Sequence, residues 1–167
     1  LNRFVWDTRY PTLPGVPKVY IESSFRGHKV APGNYTATLS AAGATQKVTF
    51  KILNNPLHNT TAAEYRFYDA FMQDAEEKVR EMHLTVNKLK DISEQISTLL
   101  KRLQPTADKA LLEELTSLRQ KIDSWDAEMV QRKSKAYDDV ENFENRFTAE
   151  YMFMMNHAES SLPKVNQ

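Results

Sequence analysis

Cysteine is absent from this chain of 167 residues, which excludes disulfides, thiolate zinc sites and a cysteine nucleophile together. The compartment stays open on that count. Nowhere do 18 apolar residues follow one another, so no transmembrane helix is expected. Charge of one sign is missing too, since 22 basic and 22 acidic residues are spread evenly and sum to zero. Nucleic acid and anionic membranes need a one-signed patch, so neither is an expected partner. The opening Leu-Asn-Arg-Phe-Val-Trp-Asp lacks the basic-then-apolar layout of a signal peptide. It also lacks an initiator Met, and the expectation is a piece of a longer chain.

Signals of chemistry are scarce. The sequence holds no Gly-rich phosphate loop, no G-x-S-x-G elbow and no H-E-x-x-H. The four histidines, His28, His58, His83 and His157, have no second ligand at metal-binding spacing. The acidic pairs Glu76-Glu77, Glu113-Glu114 and Asp138-Asp139 read as solvated helix charge, because adjacent helical residues do not face one point. Arg132, Lys133 and Lys135 read as cations favoured near a helix C-terminus. Met152, Met154 and Met155 read as core filling rather than as an adaptable binding surface. Asn34-Tyr35-Thr36 and Asn59-Thr60-Thr61 match the short glycosylation pattern. No catalytic residue, metal or cofactor is expected, and the chain itself is not expected to be an enzyme.

Glycine is also rare, but all four glycines and most prolines precede residue 54. That is the punctuation of strands and turns. Short strands are expected around Phe4 and Trp6 and at Val19 to Glu22, separated by the stiff Pro11, Pro14, Gly15 and Pro17. The clearest pair follows. Tyr35, Ala37 and Leu39 alternate with polar residues, Ala42-Gly43-Ala44 turns, and Val48, Phe50 and Ile52 alternate with Lys47, Thr49 and Lys51. One apolar and one polar face predict an antiparallel hairpin covering a core on one side. Four short strands are too few for a complete sandwich.

The organising stretch is helical. Alternating steps of three and four pick out Tyr65, Tyr68, Met72, Ala75, Val79, Met82, Val86, Leu89, Ser93, Ile96, Leu100 and Leu103. Only Ser93 breaks this apolar seam, which suits a helix lying along another helix in a coiled coil. Such a helix would be about 58 Å long. Asn59-Thr60-Thr61 supplies its cap, and Gln104-Pro105 stops it. Phe67 and Phe71 are expected to pack under the sheet. Thr106 is expected to cap a second helix with the stripe Leu111, Leu115, Leu118, Ile122, Trp125 and Met129. A third helix carries Val140, Phe143, Phe147, Tyr151, Met154 and Ala158, until Leu162-Pro163. Tyr151 to Met155 is apolar all round, which predicts burial on more than one side and a further covering surface.

The expected class is segregated α+β. A partial Ig-like or fibronectin-like antiparallel β-sandwich spans 1–55, incomplete at its N-terminus. An antiparallel three-helix bundle spans 60–162, with helices at 62–103, 107–132 and 140–160. The expected function is structural or interaction-mediating. The alternative is a carbohydrate-binding module that stacks sugars on aromatic side chains, with Tyr10 and Tyr20 as its candidate residues beside Trp6 and Tyr35. A second copy of the chain, or another protein, could complete the long seam.

The order of these pieces resembles a known family. Asn2-Arg3-Phe4-Val5-Trp6-Asp7 with Arg9-Tyr10-Pro11 resembles a segment of large bacterial sortilin-like proteins, also described as BNR-repeat glycosyl hydrolases. There it opens the β domain after the propellers. Ala31-Pro32-Gly33-Asn34-Tyr35-Thr36-Ala37-Thr38-Leu39 resembles that domain's Pro-Gly-x-Tyr hairpin, and Ala62 to Gln131 is similar to the C-terminal helices. Phe147-Thr148-Ala149-Glu150-Tyr151 and Leu162-Pro163-Lys164-Val165-Asn166-Gln167 resemble members from Bacteroides-type bacteria. The resemblance implies a secreted, periplasmic or outer-envelope parent protein whose propellers hold any hydrolase site. It also implies that the partners of this chain are the rest of its parent, including a further helix after Gln167. No family catalytic residue maps here.

Overall fold

The computed structural model describes residues 3–104, 106 and 108–160. Pro105 and the expected stop at Leu162-Pro163 lie outside the described residues. The fold is α+β and mostly helical. Strands β1 (Gly33–Ala41) and β2 (Ala44–Ile52) form one antiparallel hairpin, followed by helices α1 (Ala62–Leu103), α2 (Lys109–Met129) and α3 (Phe147–Ser160). A 3-10 turn, Tyr137–Asn142, lies between α2 and α3. Among the described residues, no helix is long and apolar enough to cross a membrane.

The hairpin register places Tyr35 opposite Phe50, Ala37 opposite Val48 and Leu39 opposite Gln46. Thr36, Thr38, Lys47 and Thr49 share the other face. Ala42 and Gly43 both have positive φ, 48° and 79°. Two such residues make the tight turn whose twist matches that of the strands. The two other expected strands do not form. Thr8 and Lys18, which flank those stretches, adopt φ values of 61° and 59° and turn the chain there. Among the described residues the sheet therefore has two strands rather than a partial sandwich.

Residues 8–30 instead double back on themselves. Val30 N–H donates to Thr8 O at 2.9 Å, Tyr10 N–H to His28 O at 3.0 Å and Leu13 N–H to Phe25 O at 2.7 Å. Leu13, Val16 and Ile21 are buried against the helices. This segment, rather than the hairpin, is what lies on α1. Among the described residues, no Cα of either strand lies within 8 Å of a helix Cα. Phe67 and Phe71, expected beneath the sheet, are 58% and 38% exposed.

Helix α1 begins at a capping box. Thr61 Oγ1 accepts from Glu64 N–H at 3.2 Å, and Glu64 Oε2 accepts from Thr61 N–H at 2.8 Å, satisfying two otherwise orphaned donors. Its buried seam includes Tyr68, Met72, Ala75, Val79, Val86, Ser93 and Ile96. Ser93, the break in the pattern, donates to Asp123 Oδ1 at 2.7 Å, and Arg119 reaches Ser97 Oγ at 3.4 Å. These pairs make α2 antiparallel to α1 and pin its register, a known use of a polar layer in an apolar seam. The cap of α2 is Asp108, which accepts from Leu111 N–H at 2.9 Å; Thr106 precedes it in the turn.

Helix α2 ends at Met129, three residues earlier than expected. Val130 is extended and buried, and Thr148 Oγ1 donates to Met129 O at 2.8 Å. That bond ties the end of α2 to the start of α3. The expected third helix from 140 to 160 is split into the 3-10 turn and α3. Ala149, Met152 and Met155 pack with Tyr68, Met72, Ala75 and Val79. The second half of α1 faces α2 and the first half faces α3. The three helices are thus one strut with two shorter helices set in series, in place of three side by side.

Candidate functional site

His28 closes the doubled segment over α1. Its Nδ1 lies 2.8 Å from Glu76 Oε1 and its Nε2 3.1 Å from Asp69 Oδ1. Its backbone N–H also donates to Glu76 Oε1, at 2.6 Å. Two ionised carboxylates on opposite ring nitrogens are both satisfied when the ring is an imidazolium, with each nitrogen donating. Burial works against that charge. The Glu76 hydrogen bond and charge, followed by those of Asp69, outweigh it and raise the His28 pKa above its ordinary 6.5. The ring is stacked on Tyr10 at 4.5 Å and meets Tyr68 edge-on at 6.1 Å. Gln73 Nε2 donates to Asp69 Oδ2 at 2.7 Å and to the Tyr10 hydroxyl at 3.0 Å.

This constellation holds rather than reacts. Both His28 nitrogens are engaged and its side chain is wholly buried, so no lone pair is presented to a substrate. Glu76, read from its neighbour Glu77 as solvated charge, is buried with its carboxylate on His28. Sequence reasoning missed the cluster because its members lie 41 and 48 positions apart. No local motif joins them.

His83 plays the opposite part. It is buried, and its Nδ1 lies 2.6 Å from Pro14 O. Burial pushes its pKa below the ordinary value, against the pull of that carbonyl. Burial thus favours the neutral ring, whose Nδ1–H can donate to that carbonyl. Together with Asn87 Nδ2 donating to Gly15 O at 3.1 Å, it fastens the far end of the doubled segment to α1. At the near end Arg9 Nη1 donates to Glu159 Oε1 at 2.6 Å and to Gly27 O at 2.8 Å. These bonds bridge the segment to α3.

The candidate sugar-stacking residues separate. Trp6, Tyr10 and Tyr35 line one open depression, and Tyr20 does not. Tyr10 has one ring face on His28; burial, then the nearby Asp69 carboxylate, raises its pKa. Trp6 meets Tyr35 at 5.8 Å and Phe50 at 6.1 Å. It covers only one end of the hairpin's apolar face. Toward the turn that face is open: Leu39 is 68% exposed and Val48 65%. The methionines of α3 divide likewise, Met152 and Met155 buried and Met154 exposed beside exposed Phe153. No protein-family profile matches this chain, and no curated protein or solved structure matches it either.

Proposed function

We propose that the chain is a non-catalytic interaction module whose hairpin packs its apolar face against another β-sheet. One observation carries the reading. Tyr35, Ala37, Leu39, Val48 and Phe50 form a face without a charged residue, largely uncovered, on two strands whose Cα atoms all lie more than 8 Å from those of the helices. Sheets with such a face are stable when it meets a second sheet.

The resemblance of Asn2 to Pro11 and of the Pro-Gly-x-Tyr hairpin to sortilin-like proteins supports a larger propeller-containing parent, secreted or held in the envelope. On this reading the parent's own β domain supplies the second sheet, and a further helix covers Phe153 and Met154. Immunodetection of the native polypeptide with an antibody to α1 and α2 tests it. A species well above 19.3 kDa in the periplasm or envelope is expected. A free species of 19.3 kDa would contradict it.

A carbohydrate-binding module is the second reading, favoured by the depression shared by Trp6, Tyr10 and Tyr35. Binding on a glycan array that is lost in Tyr10→Ala, with the fold intact, would put it first. A role for Tyr20 in the same subsite would require it to line that depression, which it does not.

A further inference from the structure

Where α2 gives way to the loop before α3, a depression of about 500 Å³ is lined by Arg132, Lys133 and Arg146 around Val130 and Phe143. Its cations are held differently. Arg132 spends Nε and Nη2 on the buried Asp126 carboxylate, both at 2.6 Å, which fixes its plane and leaves the Nη1 edge unspent. Gln131 braces the loop through Ser134 and the Lys133 backbone N–H, and Lys133 Nζ sits 5.9 Å from the centre of the Phe143 ring. Among the described residues, neither Lys133 nor Arg146 forms an ion pair. Two carboxylates line the depression, Asp126 and the exposed Glu144, and Asp126 is committed to Arg132. The dipole of α2 explains cations just past its end. It does not explain Arg146, which arrives from the segment leading into α3.

We propose that this depression binds the oxyanion of a small molecule, a carboxylate or a phosphate, with the ligand's body against Val130 and Phe143. The volume suits such a ligand. A guanidinium plane preset by a buried carboxylate, with a free edge, is what bidentate recognition of an oxyanion needs. A second guanidinium and an ammonium without counter-ions supply the remaining charge.

Amide chemical shifts of the full chain at low salt, titrated with inorganic phosphate, glucuronate and uncharged glucose, test this. Saturable shifts confined to 130–133 and 142–146 are expected with phosphate, glucuronate or both, and the stronger of the two assigns the oxyanion. Lys133→Ala with Arg146→Ala should weaken binding at least about tenfold, as loss of charge-assisted contacts does. Lys109→Ala, which removes a charge from an exposed position on α2, should leave it unchanged. Arg132 is left intact, because its loss would strand Asp126. The proposal fails if glucose shifts the same amides equally. It also fails if neither anion saturates, if shifts scatter over all lysines, or if the double variant binds as tightly as the parent.

Discussion

Glu76 Oε1 accepts two hydrogen bonds from one residue, His28: the backbone N–H at 2.6 Å and ring Nδ1 at 2.8 Å. A loop residue is thereby fixed in position and in ring orientation by a single buried oxygen of the long helix. Asp69 holds the other side of the ring. The pair is the point at which the irregular N-terminal segment becomes part of the helical structure.

Removing one member should be costly. His28→Ala leaves Glu76 buried without its counter-charge, and Glu76→Ala leaves the buried ring with Asp69 alone. Breaking a buried pair in this way costs about 3–5 kcal/mol. Urea unfolding of each single variant and of the double should show non-additivity, with the double variant less destabilised than the sum. Additive losses would mean that the two groups do not act as a unit.

The two buried histidines should tilt the pH dependence in opposite directions. His28 has a folded pKa above its unfolded value, so its stabilisation is complete below about pH 6.5 and is lost as pH rises through the folded pKa. His83 has a folded pKa below the unfolded value. Its contribution is complete above about pH 6.5 and is lost as pH falls toward the folded pKa. Stability measured against pH should decline on the alkaline side less steeply in His28→Gln, and on the acid side less steeply in His83→Gln. Unchanged slopes in both variants would remove the histidines from the explanation.

Neighbouring methionines of α3 should differ sharply. Met152 is fully buried among Met72, Val79 and Ala149, so Met152→Ala should cost about 2–5 kcal/mol by loss of transfer energy and the cavity left behind. Met154 is 56% exposed, and Met154→Ala should stay within about 0.5 kcal/mol. Thermal unfolding of the two variants separates them, and similar costs would mean that α3 is seated differently.

Gly27 is required by space and Gly43 by backbone angle. A Cβ on Gly27 would come within 2.5 Å of Tyr10 O, a backbone atom that cannot swing aside. Gly27→Ala should therefore shift the doubled segment and cost more than about 1 kcal/mol. Around Gly43 nothing lies within 4 Å of a Cβ, but its φ is +79°. Gly43→Ala should cost about 1–2 kcal/mol, confined to the hairpin turn. Hydrogen exchange would locate each effect.

The strut was legible in the residues because a 3.5-residue seam needs no knowledge of what it meets. The hairpin was legible for the same kind of reason, since alternation and a turn are local. Ser93 stood out as a break, but its cause, Asp123, lies 30 positions away on α2. The order of α2 and α3 along α1 depends on where each helix stops. The stop of α2 is marked by a contact, Thr148 with Met129 O, rather than by a proline or glycine. The His28 clamp left no trace in the sequence, because Asp69 and Glu76 look like any acidic residues on a helix until the loop arrives. Val19 to Glu22 read as a strand and is instead part of a packed loop in which Ile21 is buried, because a run of alternating residues reports burial before it reports hydrogen bonding.

A hairpin whose apolar face meets another sheet should be protected only where that sheet is present. Amide hydrogen exchange along β1 and β2 can be compared between the isolated chain and the native polypeptide that carries it. A hairpin alone is marginal in water, so exchange at Tyr35 to Leu39 and at Val48 to Phe50 should be fast in the isolated chain and slowed at least about tenfold in the native polypeptide, while the α1 core around Val79 stays protected in both. Equal exchange in the two would contradict the account and leave the face as open surface.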